Sequence, residues 1–257
     1  MKNRFFLSTI ACDAWEEAEK FGLPLEIAEF CDTAKLDISF PETDAALQER
    51  LACCTCAALH APFSELFPCA VDPKIRQVAW DRFTRAMELA RHYGAKKLVI
   101  HAGFNPHLYF PCWFREKSAA FWGEFLKQVP DGLTVCLENV LEPEPEMLTE
   151  ILEDVGSPKL GICLDVGHAN AYSSVSVDRW LEICAPYIRH FHIHNNDGSA
   201  DQHRPLDRGS IDMKTFLSRA GSLCPDASFT LEVQEAASSL RWLEENAIGE
   251  ESQWKMN

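Results

Sequence analysis

The chain has 257 residues, 47% of them hydrophobic and 25% charged, with a formal net charge of −15. That length suits one large hydrophobic core, and no apolar run nears the ~20 residues a membrane-spanning helix needs. The acidity repels polyanions and weighs against broad, non-specific nucleic-acid binding.

The N-terminus opens like a signal peptide, with Lys2 and Arg4 ahead of an apolar stretch. The stretch is short, however, and Asp13, Glu16 and Glu17 follow at once, so residues 4–10 read as a first strand. Further β-like runs cover residues 25–30, 56–60, 97–101, 134–138, 160–165, 188–192 and 229–233. Helical patterns lie between them. The clearest covers residues 73–93, where Ile75, Val78, Ala79, Phe83, Ala86, Met87 and Ala90 recur at three- and four-residue steps before Gly94. Others cover 116–129, 144–155, 177–185, 213–220 and 236–246, with a short one at about 44–50. This alternation, without a Gly/Ser/Pro-rich linker, predicts a single (β/α)8 TIM barrel spanning residues 1–257. The competing layout, a doubly wound open sheet, wants a glycine-rich turn after the first strand, and Ser8-Thr9-Ile10-Ala11-Cys12 offers none.

Metal-ligand side chains gather at the ends of these runs. His60, His101, Glu138, Asp165, His192 and Glu232 end or nearly end apolar stretches, and His168, Asp201 and His203 follow closely. In a parallel barrel all strands end at one mouth, so the pattern predicts a divalent metal site there. Carboxylates admit manganese or cobalt, while the number of imidazoles favours zinc, as one to three ions. His190, His192 and His194 alternate along one strand and share a face, so parity does not choose among them. Arg204 and Arg208 add two guanidinium groups suited to a phosphorylated or carboxylated substrate. Phe104, Tyr109, Phe110 and Trp113 lie on a loop long enough to cover it. The cysteines show no partnered base and read as reduced thiols of a cytoplasmic protein, with no catalytic role.

The chain resembles the xylose isomerase-like TIM barrel superfamily, which holds sugar-phosphate isomerases and epimerases and endonuclease IV. The resemblance rests on Leu59-His60-Ala61-Pro62-Phe63, His101-Ala102-Gly103, Leu137-Glu138-Asn139, Leu164-Asp165-Val166-Gly167-His168-Ala169-Asn170, Asp201-Gln202-His203-Arg204-Pro205-Leu206 and Gly209-Ser210-Ile211-Asp212. It implies that Glu138, Asp165, His192 and Glu232 hold one catalytic metal, with Glu138 and Glu232 relaying protons. His168 and His194 would then touch substrate, and His190, deeper, would be a packing residue. It equally implies that His60, His101, His168, Asp201 and His203 complete a three-zinc centre of the endonuclease IV kind. The usual Pro-Leu-Gly-Glu-Gly is replaced here by Pro205-Leu206-Asp207-Arg208-Gly209. The expected activity is therefore isomerisation or epimerisation of a small sugar, polyol or sugar phosphate, the alternative being multi-zinc phosphodiester hydrolysis. A small-molecule substrate and self-association into a homo-oligomer are the partners expected, with neither nucleic acid nor membrane.

Overall fold

A computed structural model describes residues 4–246 and Ile248. Eight parallel strands close into one barrel in sequence order: β1 (Phe5–Ser8), β2 (Leu25–Ile27), β3 (Cys56–His60), β4 (Lys97–His101), β5 (Thr134–Glu138), β6 (Leu160–Asp165), β7 (Ile188–Ile193) and β8 (Ser228–Leu231). Pairing of Phe5 with Phe229 between β1 and β8 completes the ring. The helices are α1 (Ala14–Phe21), α2 (Thr33–Asp37), α3 (Phe40–Arg50), α4 (Pro73–Tyr93), α5 (Pro111–Phe125), α6 (Glu146–Val155), α7 (Val166–Tyr172), α8 (Val177–Cys184), α9 (Met213–Leu223) and α10 (Ala236–Glu245). No helix among the described residues is long and apolar enough to cross a membrane.

Local chemistry explains the boundaries. Asp72 caps α4 by accepting from the Lys74 N–H at 2.7 Å, Pro73 supplies a pre-set first turn, and Gly94 ends the helix at φ +80°. Pro111 starts α5 five residues before the predicted start at 116, and the helix ends at Phe125 rather than 129. The predicted strand at 25–30 stops at Ile27, because residues 29–31 turn into a 3-10 helix that carries the chain over the barrel rim. The last strand ends at Leu231, so Glu232 sits just past it. Helices α1, α2 and α7 were not expected from periodicity. The segment after Asp165 is a helix, with Asp165 as its cap. Asp13 joins the first and last helices, accepting from the N–H groups of Ala236 at 2.7 Å and Ala237 at 2.9 Å.

Strand register sets the site. His101 lies opposite Glu138 and Asp165 opposite His192, while Glu138 lies opposite Cys163, so the second pair stands two residues further along its strands. Asn139 reinforces this beyond the ladder: its side chain donates to Asp165 O and accepts from Asp165 N, each at 2.9 Å. Two residues below the tips, with the same strand parity, Val99, Cys136 and Cys163 form a small apolar cluster inside the barrel. The larger core lies between strands and helices, where Phe191 stacks on Phe229 at 4.7 Å and Phe83 on Trp122 at 5.7 Å.

Candidate metal centre

All nine ligand positions named from the sequence converge at the C-terminal mouth. His60, Glu138, Asp165, His168, His192 and Glu232 are buried, while His101, Asp201 and His203 form a partly open edge. Among the described residues, donor atoms fall into five groups whose members lie within 4.8 Å of one another: His60, His101 and Glu138; His60, His192 and Glu232; Glu138, Asp165, His192 and Glu232; Cys163, His190 and His192; and, sharing no member with these, His194, Asp201 and His203. His194 thus stands with the last group, its ring stacked on His203 at 4.3 Å. His168 stays adjacent, its Nε2 3.3 Å from Asp201 and its Nδ1 3.4 Å from Glu138.

Backbone geometry delivers these side chains from different kinds of element. Asp165 accepts from the His168 N–H at 2.6 Å, which fixes acid and imidazole one turn apart on α7. Asp201 and His203 come from an excursion after β7 whose two ends, Asn195 and Arg204, are clamped by paired backbone hydrogen bonds of 3.0 and 2.9 Å. His203 itself adopts φ +45°, an unusual left-handed conformation for a residue with a Cβ. Its Nδ1–H donates to the Glu232 carbonyl at 2.7 Å, and Nε2 faces Asp201 at 2.8 Å.

The same arrangement recurs in other rings. His60 donates from Nδ1 to the Ala61 carbonyl at 2.8 Å, leaving Nε2 3.0 Å from Glu138. His168 donates from Nδ1 to the Asn139 carbonyl at 3.0 Å, leaving Nε2 for Asp201. In a neutral ring the second nitrogen is a lone pair, and here it points at an acceptor-only carboxylate. That contact is repulsive unless a proton or a cation lies between. Ligands about 2.1 Å from one tetrahedral ion sit about 3.4 Å apart, close to the 3.0, 3.2 and 3.4 Å separations seen around Glu138. His194 Nδ1 and Asp201 Oδ1 are buried without a hydrogen-bond partner. The donor set therefore fits divalent ions, and the tethered second nitrogens supply the orientation such ligands need.

Proton affinities point the same way. Burial by itself depresses an imidazole, but His60 beside Cys31 and Glu138, His168 beside Asp165 and Asp201, and His192 beside Cys163 and Glu232 are all held well above the usual range. His203 is pushed up to about 9, burial being overcome by Asp201 and Glu232. His101, where burial dominates, falls to about 3. Burial would raise the carboxyls, yet the imidazoles hold Glu138 well below its ordinary value and Asp165 at about 2.

Arg204 pairs with Asp197 at 2.9 Å within its own loop, and Arg208 is exposed. Other expectations are corrected. Phe104 packs in the core against Phe114, and Trp113 donates to the Cys69 carbonyl at 2.8 Å. Tyr109 packs against Phe67, and Phe110 is 79% exposed, so none of these four rings lies over the donors in contact with them. The rings that do are Phe63, stacked on His101 at 4.3 Å, and Tyr172, facing His168 at 6.1 Å. His190 is no packing residue but the hub of a buried polar network. That network contains Glu26, which sequence reasoning missed because it lies in mid-strand rather than at a tip. The visible signal was a carboxylate between Leu25 and Ile27. A second missed acid, Glu142, accepts from the Val140 N–H at 2.6 Å, and burial raises it to about 7.

A family model described as a xylose isomerase-like TIM barrel matches residues 15–254. A Thermus thermophilus protein from a crystal soaked in zinc chloride is 28% identical, with a TM-score of 0.75 over 96% of this chain and 98% of that one. A D-tagatose 3-epimerase-like protein is 24% identical, with a TM-score of 0.78 over 95% and 96% of the two chains, a likeness of fold. A probable endonuclease 4 of Mesomycoplasma hyopneumoniae is 25% identical over 179 residues, 62% of this chain and 62% of that protein.

Proposed function

This chain belongs to the xylose isomerase-like TIM barrel family, and from that premise we propose a metal-dependent isomerase or epimerase of a small sugar, polyol or sugar phosphate. The observation that carries the reading is the four-donor group from four strand ends, in which Glu138 and Glu232 meet at His192 Nδ1, at 3.2 and 3.0 Å. Glu138, Asp165, His192 and Glu232 would hold the ion, zinc ahead of manganese or cobalt. When bound, it supplies Lewis acidity that polarises a substrate carbonyl and acidifies the adjacent C–H.

The chain's own groups do the rest. Glu232 takes the proton from the substrate carbon, and Glu138, supplied with a proton by the His60 ring 3.0 Å away, returns one on the other face. His168 and His194 hold substrate oxygens, and Phe63 and Tyr172 wall the entrance against water. The epimerase-like neighbour supports this reading at the level of fold. The substrate is a free small molecule, and a cytoplasmic setting and homo-oligomer are proposed with it. Solvent-deuterium incorporation into a ketose should be lost in Glu138→Gln and in Glu232→Gln. Full exchange in either variant would sink the proton-relay assignment.

A second reading, multi-zinc phosphodiester hydrolysis, is favoured by one specific observation: Glu138 is shared by two of the five adjoining donor groups. Clustered ions would supply hydroxide and clamp the attacking and leaving oxygens. The net charge of −15 counts against a DNA substrate. Metal per chain, measured on protein purified without added metal or chelator, separates the readings. One ion supports the epimerase, two or three move hydrolysis ahead, and none removes both. Cleavage of an abasic-site duplex, abolished in His203→Ala, would establish the second.

A further inference from the structure

Beneath the mouth, Glu26 is wholly buried on β2, and its carboxylate gathers three donors. Oε1 lies 2.9 Å from His192 Nε2, and Oε2 lies 2.9 Å from His190 Nε2 and 2.6 Å from the Thr230 hydroxyl. His190 Nδ1 is in turn 2.6 Å from the Ser228 hydroxyl. An ionised carboxylate only accepts, so both histidines present N–H from Nε2 and Thr230 presents its O–H. His190 Nδ1 is then a lone pair, filled by Ser228. The His190 Nε2–H is shared between Glu26 and the Thr230 oxygen, 2.8 Å away.

We propose that Glu26 is a positioning residue that selects the tautomer and the angle of His192. With Nε2 protonated toward Glu26, the Nδ1 lone pair is committed to the mouth, 3.0 Å from Glu232 and 3.2 Å from Glu138. A ring flip would break the Glu26 bond and turn carbon toward the carboxylates. His190 and Thr230 hold the Glu26 carboxylate, and Ser228 holds His190, so His192 is braced from three strands, β2, β7 and β8. The inference rests on the reading of His192 as a metal ligand.

The test compares wild type with Glu26→Gln and Glu26→Ala by zinc competition against a chromophoric chelator, with circular dichroism as the check on folding. Glutamine keeps the shape but offers an amide N–H that competes for His192 Nε2. Zinc affinity should fall about 10- to 100-fold in a variant whose fold is retained. In zinc-loaded wild type, nitrogen-15 shifts of His192 should show metal on Nδ1 and a proton on Nε2. Metal on Nε2 would overturn the inference whatever the variants do. Wild type that binds zinc while Glu26→Gln binds it equally tightly overturns the role of Glu26 alone. Wild type that takes up no zinc overturns the metal reading and this inference together.

Discussion

Replacing Gly167 with alanine pits backbone preference against packing. Gly167 lies in the first turn of α7, where alanine is the better helix former by ~1 kcal/mol. Yet a Cβ at this position would meet His194 Nδ1 at 2.5 Å, with Cε1 and Nε2 closer still. Ordinary contact needs ~3.5 Å, so the ring must retreat by more than ~1 Å. It has nowhere to go: His194 is fully buried, its Nε2 is 3.2 Å from Asp165, and His203 stacks on it at 4.3 Å. With three ring atoms clashing, the cost lies in the upper part of the usual overpacking range, ~2–3 kcal/mol, which leaves a net loss of ~1–2 kcal/mol and a fall in Tm of ~2–8 °C. Thermal unfolding followed by circular dichroism, with zinc retained after dialysis measured in parallel, reads both consequences. A variant as stable as wild type, with full zinc content, would show that His194 is not wedged against this glycine.

Asp13→Ala removes the acceptor for two N–H groups of α10 and should cost ~1 kcal/mol in thermal or urea unfolding while leaving zinc content unchanged. His203 is raised to about 9 against a usual 6.5. In chelated protein its stabilising contribution is thus complete below 6.5 and lost as pH rises through 9. Chelated protein should therefore lose Tm across that window while zinc-loaded protein, with a cation in the proton's place, does not; parallel curves would refute this. Arg204→Ala/Arg208→Ala should leave zinc affinity within about twofold and KM for the eventual substrate unchanged, because Arg204 is already paired with Asp197.

Strand tips were legible because a parallel barrel sends every C-terminal strand end to one face, so chemistry there interrupts an apolar run where the eye can find it. Glu138 and Asp165 were readable on that ground alone, whereas parity left His190, His192 and His194 open and the family resemblance chose His192. Glu26 was not, since a mid-strand carboxylate takes its meaning from His192 and Thr230, respectively 166 and 204 residues away in sequence. Helix α7 escaped periodicity because Gly167, His168 and Asn170 break any apolar stripe; what defines it is the Asp165 cap and full burial of its first turn. The Arg204 pairing is a local matter, its partner Asp197 lying only seven residues away in the same loop. The aromatic expectation failed because Phe104 and Trp113 face inward, a direction that spacing in an irregular loop does not encode.

The clamp between Asn195 and Arg204 divides the mouth into two parts of different origin. Glu138, Asp165, His192 and Glu232 depend on four strand ends, each held by neighbours on both sides. Asp201 and His203 both depend on one clamped excursion, closed by a two-bond bridge. Release of that bridge would loosen Asp201 and leave His203 on its bond to the Glu232 carbonyl, while the four-strand set stands. The donors thus have two origins, the barrel strands and one short loop, and the loop is open to change without rebuilding the barrel.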